Sequence, residues 1–353
     1  MPLLKALKRE FSILALAPPG DYQHRLEAEG IPFYPLKVLK RKSSPFSDIQ
    51  LFHQLYRLYR REKPEIVFHF TAKPNIFGSM AARLSRVPSL PTLTGLGYLS
   101  LSNSFNSQVA CLLYKIALKE LPLVAFHNPD DLRFFVEKKI IQEKQGWVVP
   151  GSGMDTDFFS FHPLPEETKV KFLMASRLLK DKGVREYALA ARILKERHLN
   201  ADFLIAGSLD KGNPAVLKEK EWQKLLGTSP LIYRGRVEDM RRLIREVHCL
   251  VLPSYREGLP RFLLEGMSMG RPLITTDVPG CRELVQPRGN GFLVPERNGT
   301  ALADAMEHFL SLPPSTREKM GYTSRRMVED QYSEKRVVEM YLNKAVPQIL
   351  ESW

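Results

Sequence analysis

The chain has 353 residues, 44% of them hydrophobic, with a formal charge of +13 and three cysteines. That length fits two domains with sizeable cores, and the composition excludes a disordered or collagen-like chain. No apolar run reaches the roughly 18 residues of a membrane-spanning helix, residues 1–10 lack a secretion signal, and Cys111, Cys249 and Cys281 form no disulfide or metal spacing, so a cytoplasmic protein is expected.

Residues 2–10 read as the end of a helix. Strand candidates then follow at 11–17, 65–70, 92–96, 123–127 and 147–150. A second series lies at 171–176, 202–207, 231–234, 249–253, 273–276 and 292–295. Helical periodicity fills the intervals, for example at 49–62, 183–197 and 301–310. This alternation predicts an α/β fold of two doubly wound, Rossmann-like domains. The turn-rich stretch 151–166 predicts a linker between a first domain, 1–150, and a second, 167–333.

The charge is uneven. Residues 1–150 hold 21 Lys/Arg against 12 Asp/Glu, which is +9 of the total. Lys37, Lys40, Arg41 and Lys42 cluster, and Arg57, Arg60, Arg61 and Lys63 interleave with Phe52, Tyr56 and Tyr59. Such a face is either solvated or meets an anionic membrane surface, where each basic residue contributes about 1 kcal/mol. No nucleic-acid-binding module is spelled out, so no nucleic-acid partner is expected. An amphipathic helix from 109 to 121 either packs on a core or touches lipid.

The segment from Tyr255 to Gly266 carries the most chemistry. Glu257 and Glu265 stand eight positions apart around Gly258-Leu259-Pro260. The run Cys249-Leu250-Val251-Leu252 reads as a buried parallel strand, and a helix is expected from Arg261 to Met269. Glu257 then falls on the loop at a strand's carboxyl end and Glu265 on the second helical turn. A phosphate fits the helix start, and carboxylates suit sugar hydroxyls; acids near a helix start also serve as plain caps. Arg177 and Lys182 bracket the loop after strand 171–176. They are either surface cations or the pair that neutralises a departing diphosphate.

These segments together resemble the family 4 glycosyltransferases, retaining enzymes of the GT-B fold. Glu257 through Glu265 resembles the family's E-x7-E motif. Arg177-Leu178-Leu179-Lys180-Asp181-Lys182-Gly183 is similar to its R-L-x-x-x-K-G segment, and Gly151-Ser152-Gly153-Met154-Asp155-Thr156-Asp157-Phe158-Phe159 to its interdomain loop. The stretches 276–285 and 290–294 match its last two landmarks, and the ordered set spans roughly residues 11–345.

The resemblance implies two Rossmann-like domains facing across a cleft, with a terminal helix within 334–353 returning to the first domain. It implies Glu257, Arg177 and Lys182 as catalytic residues. Glu265, Gly258, Leu259, Gly235 and Val237 would bind the donor, with Glu265 at the ribose and the segment around Gly235 at the base. The segments Thr71-Ala72-Lys73-Pro74-Asn75 and Thr94-Gly95-Leu96-Gly97-Tyr98 resemble those of members that extend saccharides on undecaprenyl diphosphate. They imply acceptor binding by Lys73, Asn75, Gly95 and Gly97. Many relatives carry a histidine where this chain has Gly95, so no histidine catalyst is implied there. His69 and His127 are either core-edge histidines or site residues, and Asn128 either caps a helix or belongs to the site. Relatives also place a strand and a glycine-rich loop before the helix at 2–10. Their absence here implies a gap near the centre of the first sheet.

The implied activity is metal-independent, cofactor-free, retaining transfer from a nucleoside-diphosphate sugar to a lipid-linked saccharide on the inner face of a bacterial membrane. A UDP-linked sugar, with N-acetylhexosamine the leading candidate, is expected before a GDP-linked one. The rival readings are an epimerase or hydrolase of the same fold, a disabled binding protein, and a basic nucleic-acid binder. An NAD-linked enzyme is the weakest, because no G-x-G-x-x-G follows a strand.

Overall fold

Every strand pairing among the described residues is parallel. The computed structural model describes residues 2–20, 22–36, 45–96, 105–167, 169–210, 212–213 and 215–353. Its contacts divide the chain into two units, one of residues 1–153 with 334–353 and one of residues 154–333.

The first unit begins with α1 (Pro2–Glu10), β1 (Ala15–Ala17), α2 (Gln23–Ala28), β2 (Phe33–Pro35) and α3 (Pro45–Glu62). It continues with β3 (Val67–Phe70), a π-helical turn at Pro74–Gly78, α4 (Ser79–Ser85), β4 (Ser89–Leu93), α5 (Phe105–Leu118), β5 (Val124–Phe126), α6 (Pro129–Glu137) and β6 (Gly146–Val148). The strands form two sheets, β1-β2 and β3-β4-β5-β6, and among the described residues no strand joins them. One apolar cluster covers members of both sheets. Leu51, Leu55 and Tyr59 of α3 recur at helical spacing on its inner face, and Leu16, Tyr34 and Val67 pack against the same cluster. The helices Glu334–Met340 and Val346–Glu351 belong to this unit: Val337, Tyr341, Ala345 and Ile349 pack with Leu90, Ala125 and Trp147.

Two features here depart from the sequence reading. β2 was not expected, because Phe33-Tyr34-Pro35 is short and its proline removes a ladder donor. β4 starts at Ser89 rather than 92, running through Pro91, which lies opposite His69 in a strand paired on both sides. Proline there disguises a strand that is buried along its whole length.

In the second unit, β7 (Val170–Ala175), α7 (Val184–Glu196), β8 (Ala201–Ala206), α8 (Glu219–Thr228), β9 (Leu231–Tyr233), α9 (Met240–Arg245) and β10 (Cys249–Leu252) come first. Then follow α10 (Arg261–Ser268), β11 (Leu273–Thr276), β12 (Gly291–Val294), α11 (Gly299–Ser311) and α12 (Pro314–Met327). One unbroken sheet runs β12-β11-β10-β7-β8-β9. Its central strands are continuous apolar runs, as a sheet covered on both faces requires. The strand order reverses between β7 and β10, and the carboxyl ends of two such strands open a crevice that ligands use. A side chain at Gly266 would strike Leu250 at 1.9 Å, so this glycine lets α10 lie close on β10.

Arg271 is fully buried and ties this unit together. Its guanidinium donates to the carbonyls of Ile244 at 2.9 Å, His162 at 2.7 Å and Met269 at 3.1 Å. Burial lowers its pKa to about 10.

Candidate active site

Lys182 and Glu257 meet at the reversal point of the second sheet. Lys182 ends the short 3-10 turn Lys180–Lys182 after β7, and Glu257 lies on the loop after β10. The ammonium donates to a Glu257 carboxylate oxygen at 2.5 Å, and both side chains are only 15% exposed. Three loops must close tightly for this contact. The Tyr255 amide donates to the Asp181 carbonyl at 2.9 Å, and the Glu257 amide to the Pro279 carbonyl at 3.1 Å. Two glycines make that approach feasible. Gly183, at φ 73°, would place a Cβ 2.0 Å from the Pro253 carbonyl oxygen, and Gly280, at φ 84°, one 2.5 Å from that of Glu257.

Glu265 lies on the second turn of α10, mostly buried, with Arg261 one turn back donating to it at 3.0 Å. Pro260 caps this helix rather than entering its first turn. Burial raises the Glu265 carboxyl above its usual range, and the Arg261 charge partly opposes that. Glu265 also lines a cavity of about 250 Å³ with Phe158, Phe159, Glu238, Asp239, Met240 and Arg241. Arg241 is fixed twice, by two hydrogen bonds to Asp239 and by its place 3.8 Å over the Phe158 ring. Val237 packs against the same apolar cluster as Met240, Leu259 and Phe262. Gly235, at φ 67°, has open space where a side chain would stand, and its carbonyl accepts from the Gly207 amide at 2.8 Å. Gly258 is half-buried between Glu257 and Leu259.

Arg177 is set differently from Lys182. It is 58% exposed and pairs with Asp210 at 3.1 Å, on the loop after β8.

In the first unit, Lys73 pairs with Asp48 of α3 at 2.7 Å. Asn75 is 1% exposed and donates to the Thr92 carbonyl at 2.9 Å, inside the unit. Gly95 is exposed at φ 139°; Gly97 lies outside the described residues, as do Lys37, Lys40, Arg41 and Lys42. His69 is buried between Tyr59, at 2.9 Å, and Ser79, at 3.3 Å. Burial drives its pKa down to about 3, which leaves it neutral at physiological pH. Burial also lowers His127, to about 4. Asn128 caps α6, accepting from the Asp131 amide at 2.8 Å. The aromatic residues interleaved with the basic run turn inward: Phe52 and Tyr56 stack against the cluster under α3 while Arg57, Arg60, Arg61 and Lys63 stay exposed.

Comparison with known proteins decides the family. Residues 155–327 match the model described as glycosyl transferases group 1, and residues 2–128 the one described as glycosyl transferase 4-like. The chain belongs to the family 4 glycosyltransferases.

Two relatives of this glycosyltransferase are informative. It is 24% identical over 330 residues to N,N'-diacetylbacillosaminyl-diphospho-undecaprenol alpha-1,3-N-acetylgalactosaminyltransferase of Campylobacter jejuni, covering 88% of this chain and 85% of that one. It is 28% identical over 271 residues to UDP-Gal:alpha-D-GlcNAc-diphosphoundecaprenol alpha-1,3-galactosyltransferase of Escherichia coli, covering 73% and 69%. Anabaena HepE, solved in complex with UDP, superposes with a TM-score of 0.80 at 16% identity over 98% of this chain and 95% of that one. The fold is GT-B.

Sequence reasoning missed three site features of this glycosyltransferase: the Asp210 partner of Arg177, the Arg241–Phe158 stack, and the need for Gly280. The first two join segments far apart in the chain and leave no local signal. Gly280 was readable, since a glycine after Asp277-Val278-Pro279 marks a turn. Among the described residues no group of three or more His, Cys, Asp or Glu is placed to hold a metal ion.

Proposed function

We propose that this glycosyltransferase transfers a sugar, with retention of configuration and without a metal, from a nucleoside-diphosphate sugar to a lipid-linked saccharide at a membrane surface. The Lys182–Glu257 contact at the strand-order reversal supports this reading most directly. A cation held there by a carboxylate is ready to meet the charge that grows on a departing diphosphate. Glu257 keeps Lys182 in place and lies where a donor sugar would follow the diphosphate. Arg177, more exposed, adds a second cation on the same loop. Glu265 faces the cavity under Arg241, a place suited to the ribose, and the main chain at Gly235 and Val237 borders the base. The leaving diphosphate accepts the acceptor's proton, so no side-chain base is required.

In the first unit, Gly95 is the residue best placed to meet an acceptor; Lys73, whose ammonium is buried against Asp48, and Asn75, bonded to the Thr92 carbonyl, would serve by holding the segments around it. The two undecaprenol-linked relatives favour a polyprenyl diphosphate saccharide as acceptor and a UDP-linked sugar as donor. An N-acetylhexosamine is the first sugar to try. The acceptors named for those relatives favour a place in the assembly of lipid-linked glycans at a membrane surface.

The test is release of nucleoside diphosphate from a panel of UDP- and GDP-sugars, with and without bacterial lipid extract. Release that needs both one donor and the lipid supports the reading. Equal turnover without lipid would move it to a hydrolase or epimerase, and no turnover with intact donor binding to a disabled protein.

A further inference from the structure

Tyr255 ties the loops that carry Lys182 and Glu257 to the body of the second unit. It lies on the loop after β10, two residues before Glu257. Its hydroxyl donates to a Glu186 carboxylate oxygen at 2.8 Å. Glu186 belongs to the first turn of α7, four residues beyond Lys182. The other Glu186 oxygen is buried and has no hydrogen-bond partner among the described residues. On the loop after β12, the Arg297 guanidinium lies 4.7 Å over the Tyr255 ring. Three segments therefore converge on one aromatic side chain.

Packing alone does not account for this arrangement. A buried carboxylate oxygen without a donor costs stability, and an apolar residue at 186 would avoid that cost. Burial, and secondly the Glu186 carboxylate, raise the Tyr255 pKa above its usual value, so the hydroxyl keeps its proton and remains a donor. Arg297 stands at φ 57°, a conformation that glycine adopts without strain; an arginine there supplies what glycine lacks, a cation over the ring. On the backbone side, the Tyr255 amide and the buried Ser254 hydroxyl both donate to the Asp181 carbonyl, at 2.9 and 3.1 Å. Those bonds join the Lys182 loop to the Glu257 loop. The Tyr255 side chain then fixes the joined loops against α7.

We infer that Tyr255 is a positioning residue of the donor site, holding Lys182 and Glu257 through Glu186 and Arg297 in the geometry that a departing diphosphate requires. The inference rests on the transfer reading and deepens it, since no contact with the donor is asked of Tyr255. Because Lys182 meets charge that grows only as the bond breaks, its misplacement slows the chemical step more than it weakens donor binding.

The experiment measures nucleoside-diphosphate release by the full chain from the UDP- and GDP-sugar panel with bacterial lipid extract. Tyr255→Phe removes one oxygen and keeps the ring; it lowers kcat about five- to twentyfold and leaves the donor KM within about twofold. Glu186→Leu matches that loss, whereas Glu186→Gln keeps an acceptor for the hydroxyl and recovers most of the rate. Arg297→Gly suits the left-handed backbone, so its melting curve stays near the wild type's while kcat falls about two- to threefold. In a Lys182→Ala background, Tyr255→Phe adds less than about twofold, because it acts through that ammonium. Wild-type kcat in Tyr255→Phe would overturn the inference, as would its full loss persisting without Lys182. A wild type that turns over no donor, or a Lys182→Ala variant as fast as the wild type, would instead sink the transfer reading. The crystal structure of Tyr255→Phe then decides the positioning: a Lys182–Glu257 contact opened beyond hydrogen-bond reach supports it, and one still at 2.5 Å overturns it.

Discussion

The two units of this glycosyltransferase share parallel α/β construction and differ in where their polar groups point. The second unit has one unbroken six-stranded sheet, and its ionic groups gather on loops at the strands' carboxyl ends, Lys182 against Glu257 and Glu265 over a cavity. The first unit has its strands in two sheets, and the polar groups singled out from its sequence are largely satisfied internally: Lys73 by Asp48, Asn75 by Thr92, His69 by Tyr59 and Ser79. Its helix α5 leaves Phe105 and Leu112 exposed. The comparison teaches that one parallel α/β plan can either gather ionic groups at a loop edge, where close-approaching glycines hold them, or satisfy its polar groups inside the unit.

The comparison is broken most severely at Lys182. Lys182→Ala lowers nucleoside-diphosphate release by about 10²–10³-fold, the effect of removing one charge-stabilising donor, and also lowers the melting temperature, because Glu257 is left mostly buried without that cation. A loss of only a few-fold in initial rate would place the diphosphate elsewhere. Next in size is Gly183→Ala. A methyl group there meets the Pro253 carbonyl oxygen in a left-handed backbone, so stability falls by about 1–3 kcal/mol, read from thermal unfolding, together with activity.

Acid tests the first unit. The folded pKa of His69, about 3, lies below the usual 6.5, so the unfolded chain binds the extra proton. The contribution is present in full above pH 6.5 and is lost as pH falls towards 3, at no more than about 1.4 kcal/mol per pH unit. Urea midpoints of the wild type should therefore fall with pH in that window, and His69→Phe should flatten the slope. An identical slope in the variant would remove His69 from the account. The smallest effect is that of Asn75→Ala, about 1–2 kcal/mol from the lost bond to the Thr92 carbonyl. A raised KM for acceptor with an unchanged melting curve would instead make Asn75 a binding residue.

How much was legible in the sequence follows the same division. The second unit's strands were placed within one or two residues, because strands buried on both faces are unbroken apolar runs such as Cys249–Leu252 and Leu273–Thr276. In the first unit, proline hid β2 and the start of β4, since local propensity there opposes the sheet that tertiary packing imposes. Glu257 and Lys182 were legible as separate residues within two ordered segments. Their contact was not, because it joins loops 75 positions apart through Gly183 and Gly280. The outward face of α5 was readable as amphipathic character; which side faced the core was a matter of packing.

The central claim is that Lys182 and Glu257 act as one unit on the donor. A double-mutant cycle tests it most directly, with nucleoside-diphosphate release measured for Lys182→Ala, Glu257→Gln and the two combined. The account predicts a combined loss close to that of the worse single variant, because either change already dismantles the pair. Losses that multiply would contradict it, as two residues contributing independently require.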